Sequence, residues 1–326
     1  FNSQQEYDTY MYSRSLKKDA NKAGAILLIY LGAMSIVVTI ATFLSSVFDL
    51  GYQISDRYEM LLNGLASLVA FFGVAIIYSI IAKKDLGKIF PLEKVGTKLT
   101  FLLCSFGFAV AFTGNYVSEL VLSLFDSTGV DAEFDMSYSY SSVIDIVLAY
   151  VTVALLPALV EEFAFRGLIL GVLRKHSDAL AILVSGITFS LMHGNFTQIP
   201  FTLVVGLVLG FITVKTNSLL PAMIIHFINN GFSVTLSILY ANNIFDEYYI
   251  NMIYLACIFI IALLGIISFT ILCSKYKGFF KLSGSNNDLP FNEKVRTVCK
   301  SPTLIIFTVI SLVSAIILIG GNIYVQ

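Results

Sequence analysis

Charged residues are scarce: Asp, Glu, Lys and Arg make up 13% of the 326 positions, against about 25% in an ordinary soluble domain. That shortage excludes a soluble globular protein, a nucleic-acid binder with a basic face and a solvated disordered chain. Metal-type cysteine patterns are lacking too. Cys104, Cys257, Cys273 and Cys299 have no CxxC or other ligand spacing, so they read as ordinary thiols. The helical zinc-peptidase motif HExxH is absent, and sequence alone does not favour zinc. No internal repeat and no separate soluble domain is visible. What the chain has is apolar length: 57% of residues are hydrophobic and mean hydropathy is +0.85. Several runs exceed the roughly 18 residues needed to cross a bilayer. The chain reads as an all-α, polytopic membrane protein.

Nine runs qualify as spans: 23–48, 58–82, 99–125, 141–173, 178–194, 198–214, 219–241, 251–274 and 302–325. The first is too long for a signal-peptide core and lacks a small-residue cleavage site, so it reads as a true span. The fourth contains Pro157, which predicts a tilt or a kink. Basic residues test the count. With the N-terminus cytoplasmic, the inner segments hold Arg14, Lys17, Lys18 and Lys22, then Lys83, Lys84, Lys88, Lys94 and Lys98. Arg174, Lys175 and Lys215 follow, and then Lys275, Lys277, Lys281, Lys294, Arg296 and Lys300. Arg57 is the one basic residue in the outer loops, whereas Asp126, Asp131, Glu133 and Asp135 crowd the loop 126–140. The alternation fits a multi-pass protein of the cell membrane, N-terminus inside and C-terminus outside. The inner connection 275–301, with Gly284-Ser285-Asn286-Asn287, joins a last helix that reads as an appendage.

A charge near the bilayer centre costs at least ~2.5–3.5 kcal/mol, so such groups face a protein interior or a wet cavity. Here they concentrate in spans four to seven. Glu162 and Arg166 are four residues apart and share a helix face, which predicts an ion pair. Glu161 lies about 100° round the helix, free to point elsewhere. One carboxylate is held and one is left to react. Phe189 and His193 share a face on the fifth span, as do His226 and Asn230 on the seventh. At 1.5 Å per residue, Glu161, His193, His226 and Asn230 lie roughly 18, 22, 11 and 17 Å from the cytoplasmic ends of their helices. Their depths overlap, so they read as one site, open to the cytoplasm. Glu119 and Asp145 sit at outer helix ends and are expected to reach the interface. His176 lies in a basic inner loop and reads as solvated. Gly206 and Gly210 form a small-xxx-small pair for close helix packing.

A glutamate and two histidines suit general-base activation of water, with imidazole and amide donors for a developing oxyanion. Hydrolysis of an amide fits that set. The alternative use of Glu161, His193 and His226 is as zinc ligands, with water in the fourth position.

The string Glu161-Glu162-Phe163-Ala164-Phe165-Arg166 resembles the EExxxR motif of the CAAX-prenyl endopeptidase and bacteriocin-processing (CPBP) family of intramembrane proteases. Phe189 to His193 resembles its FxxxH motif, and His226 to Asn230 its HxxxN motif, in the family's order over roughly 143–235. The resemblance implies proteolysis within the membrane: Glu161 and His193 activate water, His226 and Asn230 form the oxyanion site, and Glu162 and Arg166 support them. It implies a lipidated or hydrophobic peptide substrate and membrane lipids as surroundings, with no nucleic acid. A glutamate-type enzyme without cofactor is favoured over a zinc enzyme, because asparagine is a poor zinc ligand. On this reading residues 1–140 are a tail with three helices, 141–241 the catalytic core, and 242–326 C-terminal helices with a cytoplasmic linker. Two other classes are open. Glu, His and Arg in spans also serve proton-coupled transporters, although paired broken helices are not visible. A catalytically silent peptide-binding immunity or chaperone protein keeps the same residues without turnover.

Overall fold

The computed structural model describes residues 4–47, 56–82, 90–127, 138–282 and 289–324. Helices dominate: α1 (Gln4–Val47), α2 (Asp56–Ala82), α3 (Thr97–Ser127), α4 (Val143–Arg174) and α5 (Asp178–Met192). They continue as α6 (Ile199–Thr216), α7 (Leu220–Ala241), α8 (Glu247–Lys275), α9 (Phe291–Cys299) and α10 (Pro302–Tyr324). No strand occurs among the described residues, where an isolated antiparallel bridge joins Leu92 to Ser218. The fold is all-α. Lys83, Lys84, Lys88, Asp131, Glu133, Asp135 and the Gly284–Asn287 stretch lie outside the described residues, as does the side chain of Asp126.

Each of the nine apolar runs is a helix. Seven are long and apolar enough to cross a membrane, and α9 with α10 pass that test only as a pair bent by 70°. At 15 residues, α5 rises about 22 Å, short of a ~30 Å hydrocarbon layer. Two helical stretches go beyond the apolar runs. The polar segment before Ala23 belongs to α1 because Leu16, Ala20, Ala23 and Leu27 make a stripe no more than 2% exposed. The connection 275–301 contains α9, whose Val295 and Val298 face inward while Arg296 and Lys300 face out.

The central helix is α6, packed against α5 on one side and α3 on the other, with α8 outside α3. A Cβ at Gly206 would lie 2.9 Å from the Cα of Gly186, so the α5–α6 approach needs glycine there. Gly210 is in ordinary contact, 3.5 Å from Ile182. On the other flank α1 packs on α2 and α10. A Cβ at Gly24 would meet the backbone of Thr303 and Leu304 within 2.7 Å. Ser301 and Thr303 donate to Asn21, at 2.7 and 2.8 Å. The last helix is thus fastened to the first.

The turn between α4 and α5 corrects one expectation. His176 is not solvated: it is buried, with Nε2 2.8 Å from Asp19 Oδ2 and its ring edge-on to Tyr12. Its carbonyl accepts from the Tyr12 hydroxyl at 3.0 Å and from Lys294 Nζ at 3.3 Å. The helical extension of α1 and the short α9 cover the loop, which no local pattern announces. Burial pushes the imidazole below the ordinary histidine range, although Asp19 pulls the other way. At the opposite end of α4 Asp145 closes a capping box with Ser142 and pairs with Arg57 at 2.7 Å.

Candidate active site

The backbone of α4 departs from a regular α-helix where the site is built. Tyr150–Leu155 and Glu162–Ile169 are π-helical, a form that recurs at functional sites. Pro157 has no N–H to give the carbonyl of Val153 four residues earlier. Asn230 on α7 replaces that donor, with Nδ2 3.2 Å from Val153 O. The break at Pro157 therefore carries an inter-helix contact as well as a wider turn. Ser185 on α5 donates to Phe165 O at 3.0 Å within the second π segment.

Glu162 is the junction of the site. It is fully buried, and its Oε1 accepts from Arg166 Nη1 and from His226 Nδ1, both at 2.9 Å. Arg166 is equally buried. Its Nη2 donates to the Gly206 carbonyl at 3.2 Å, and its guanidinium lies over the Phe189 ring, 4.3 Å from the centroid. The expected ion pair forms, and it joins α4 to α5, α6 and α7.

Glu161, one residue earlier, is in the opposite condition. Its side chain is 26% exposed, and its Oε2 stands 3.8 Å from His226 Nε2. His226 thus lies between the two carboxylates. Because a carboxylate can only accept, Nδ1 carries the proton given to Glu162, and Nε2 is the atom presented to Glu161. His193 caps the end of α5, where Gly194 at φ +59° turns the chain out of the helix. Its Nδ1 is 2.9 Å from the Phe189 carbonyl. A carbonyl likewise only accepts, so the neutral ring keeps its lone pair on Nε2. Phe189 is a wall: its ring meets His193 at 5.0 Å and His226 at 5.9 Å, both edge-to-face.

The structure thus gathers Glu161, Glu162, Arg166, His193 and His226 around Phe189, with Asn230 one helical turn beyond His226. Asn229 is buried and donates to Asn230 Oδ1 at 3.3 Å. Sequence reasoning missed the Gly206 carbonyl, the Val153 carbonyl and Tyr30. Tyr30 is a buried residue of α1 within electrostatic reach of Glu161. The carbonyls carry no side-chain signal, and Tyr30 sits over a hundred residues away in an apolar run. Among the described residues, no three His, Cys, Asp or Glu side chains converge as metal ligands would.

Residues 143–232 match the family model described as Rce1-like, type II CAAX prenyl endopeptidase Rce1-like. All six site residues fall inside the matched span. No curated protein matches the chain significantly, and no solved structure does so.

Proposed function

We propose, on the premise that residues 143–232 form an Rce1-like domain, that the protein is an intramembrane endopeptidase of glutamate type. The family match supports a CAAX-type membrane protease. The observation that carries the finer reading is the contrast between adjacent carboxylates. Glu162 is buried and twice bonded, whereas Glu161 is a quarter exposed and faces an imidazole. A carboxylate in that position takes a proton from water.

Glu161 and the Nε2 lone pair of His193 polarise one water. Its oxygen adds to the scissile carbonyl carbon while its proton passes to Glu161. The carbonyl oxygen, now an oxyanion, accepts from Asn230 Nδ2, which has a second N–H besides the one given to Val153. His226 contributes through Nε2 only as an imidazolium, since Nδ1–H is used on Glu162. Glu162, bonded to Nδ1, is the carboxylate that stabilises that cation while Glu161 holds the water proton. Collapse of the tetrahedral intermediate breaks the C–N bond, and the proton on Glu161 goes to the departing amine nitrogen. Arg166 and Phe189 position the carboxylate and the rings.

The substrate is a lipidated or hydrophobic peptide reaching the site from the cytoplasmic side of the cell membrane, with the N-terminus inside and the C-terminus outside. The test is cleavage of a fluorogenic lipidated peptide by purified protein in detergent, with Glu161→Ala, His193→Ala and a strong zinc chelator as arms. Loss in both variants and indifference to chelator support a glutamate-type protease. Chelator-sensitive cleavage restored by Zn²⁺ overturns that type. Flux across sealed vesicles that needs Glu161, with no cleavage by wild type, returns the transporter reading.

A further inference from the structure

A cavity lies on the side of α5 opposite the site. Phe189 and His193 occupy the inner face of that helix, whereas Leu180, Val184 and Thr188 face outward into a groove of about 310 Å³. Val298 of α9 and Leu304 and Thr308 of α10 form the other walls. No charged residue lines it, and the Thr188 hydroxyl is already spent on Val184 O at 2.8 Å. Its mouth is bounded by Ile187, Ile305 and Val309, between 39% and 53% exposed. The groove therefore opens toward hydrocarbon. If a methylene fills about as much space as a water's ~30 Å³ share of the liquid, the groove takes roughly ten carbons of a chain.

Depth and charge narrow the occupant. The lining begins two residues into both α5 and α10, hence about 3 Å below their shared cytoplasmic ends. The roof is α9, bent 70° from α10, which turns Val295 and Val298 to the groove and Lys294 to the His176 carbonyl, with Lys300 and Arg296, the latter paired with Glu293 at 2.9 Å, exposed on its outer side. An amphipathic helix so placed lies along the interface, and its cations attract anionic headgroups. We propose that this groove binds one acyl chain of an anionic glycerophospholipid of the cytoplasmic leaflet, its headgroup held beside Arg296 and Lys300. The bound chain braces α5 from behind. The same α10 reaches the His193 turn, where a Cβ at Gly194 would be 3.8 Å from Ser314 Cβ. The C-terminal helices then act as a lipid-filled backing for the histidine-bearing helix, independent of which reaction the site performs.

The test is native mass spectrometry of the full chain, delipidated and titrated with phosphatidylglycerol or phosphatidylcholine. One phosphatidylglycerol should bind at least tenfold tighter than phosphatidylcholine. Val184→Trp, which fills the groove, should weaken phosphatidylglycerol at least tenfold, and Arg296→Gln with Lys300→Gln should abolish the headgroup preference. In the wild type, phosphatidylglycerol with a photoreactive acyl chain should label α5 and α10 at the lining residues, whether or not the variants fold. Labelling confined to other helices overturns the proposal, as does equal binding of the two lipids by wild type. Displacement of the lipid by a farnesylated peptide would assign the groove to substrate instead.

Discussion

Replacing Glu162 by Leu leaves Arg166 charged and fully buried, with only the Gly206 carbonyl and the Phe189 ring as partners. Breaking a buried pair in this way costs about 3–5 kcal/mol. Arg166→Met alone leaves Glu162 with a single donor, His226, and should cost about 3 kcal/mol by the same reasoning. The double variant removes both charges and keeps the volume. What it leaves unmet is the His226 N–H, at about 1–3 kcal/mol for an unsatisfied buried group, since the Gly206 carbonyl keeps its bond within α6. The pair of substitutions should therefore cost less than either alone or about as much as the milder, far below their sum. The chain has no tryptophan, so the readout is loss of helical circular dichroism on adding SDS to detergent micelles. Cleavage of the lipidated peptide should not recover with stability, because His226 has lost the carboxylate that orients it, and kcat should stay down by about 100-fold or more. Additive costs in the cycle would refute the reasoning about Arg166. Recovery of both stability and cleavage would refute the positioning of His226 by Glu162.

Glu161→Gln should behave in the opposite way to Glu162, lowering kcat by about 10²- to 10⁴-fold while leaving the SDS midpoint where it was. Gly206→Ala should cost about 1–3 kcal/mol by forcing α5 off α6, whereas Gly210→Ala, in ordinary contact, should leave both folding and cleavage close to wild type; equal effects would count against the Gly186–Gly206 contact. Asn230→Ala should strip the Val153 carbonyl of its donor at about 1–3 kcal/mol and reduce kcat by about 10²- to 10³-fold with little change in KM. For His176, burial favours the neutral ring, so its contribution is complete above the unfolded value of ~6.5 and is lost as pH falls below it toward the lower folded value. Thermal stability should drop in wild type as pH falls below about 6.5, and His176→Gln should flatten that slope.

The spans were legible because a long apolar run admits few other structures, and the pairing of Glu162 with Arg166 because four residues set one face of a helix. The same rule places Phe189 against His193 and Asn230 one turn from His226. It failed where the deciding partner belongs to another element. Nothing near His176 says that α1 and α9 will fold over it. Nine residues with apolar Val295 and Val298 are too few to separate α9 from a loop. The bond from His226 to Glu162 was equally hidden. Local spacing paired His226 with Asn230, whereas the fold gives its Nδ1 to a carboxylate on another helix and leaves only Nε2 for chemistry.

On the proposed mechanism, that arrangement gives the two adjacent glutamates separate tasks. Four helices converge on the Glu162–Arg166 pair: the ion pair sits on α4, the Phe189 ring on α5, the Gly206 carbonyl on α6 and His226 on α7. A buried ion pair contributes little net stability once desolvation is counted, and its best-attested use is to fix register. Here it sets the rotation of four helices that apolar side chains alone would leave free to slide. A carboxylate spent on that task is fully buried, with one oxygen shared by Arg166 and His226, and is shut off from substrate water. The proposed chemistry therefore calls for a second carboxylate, close enough to inherit the register and far enough round the helix to escape the network. Glu161, the adjacent residue, meets both conditions, and the Glu162–Arg166 node holds the His226 ring in place opposite it.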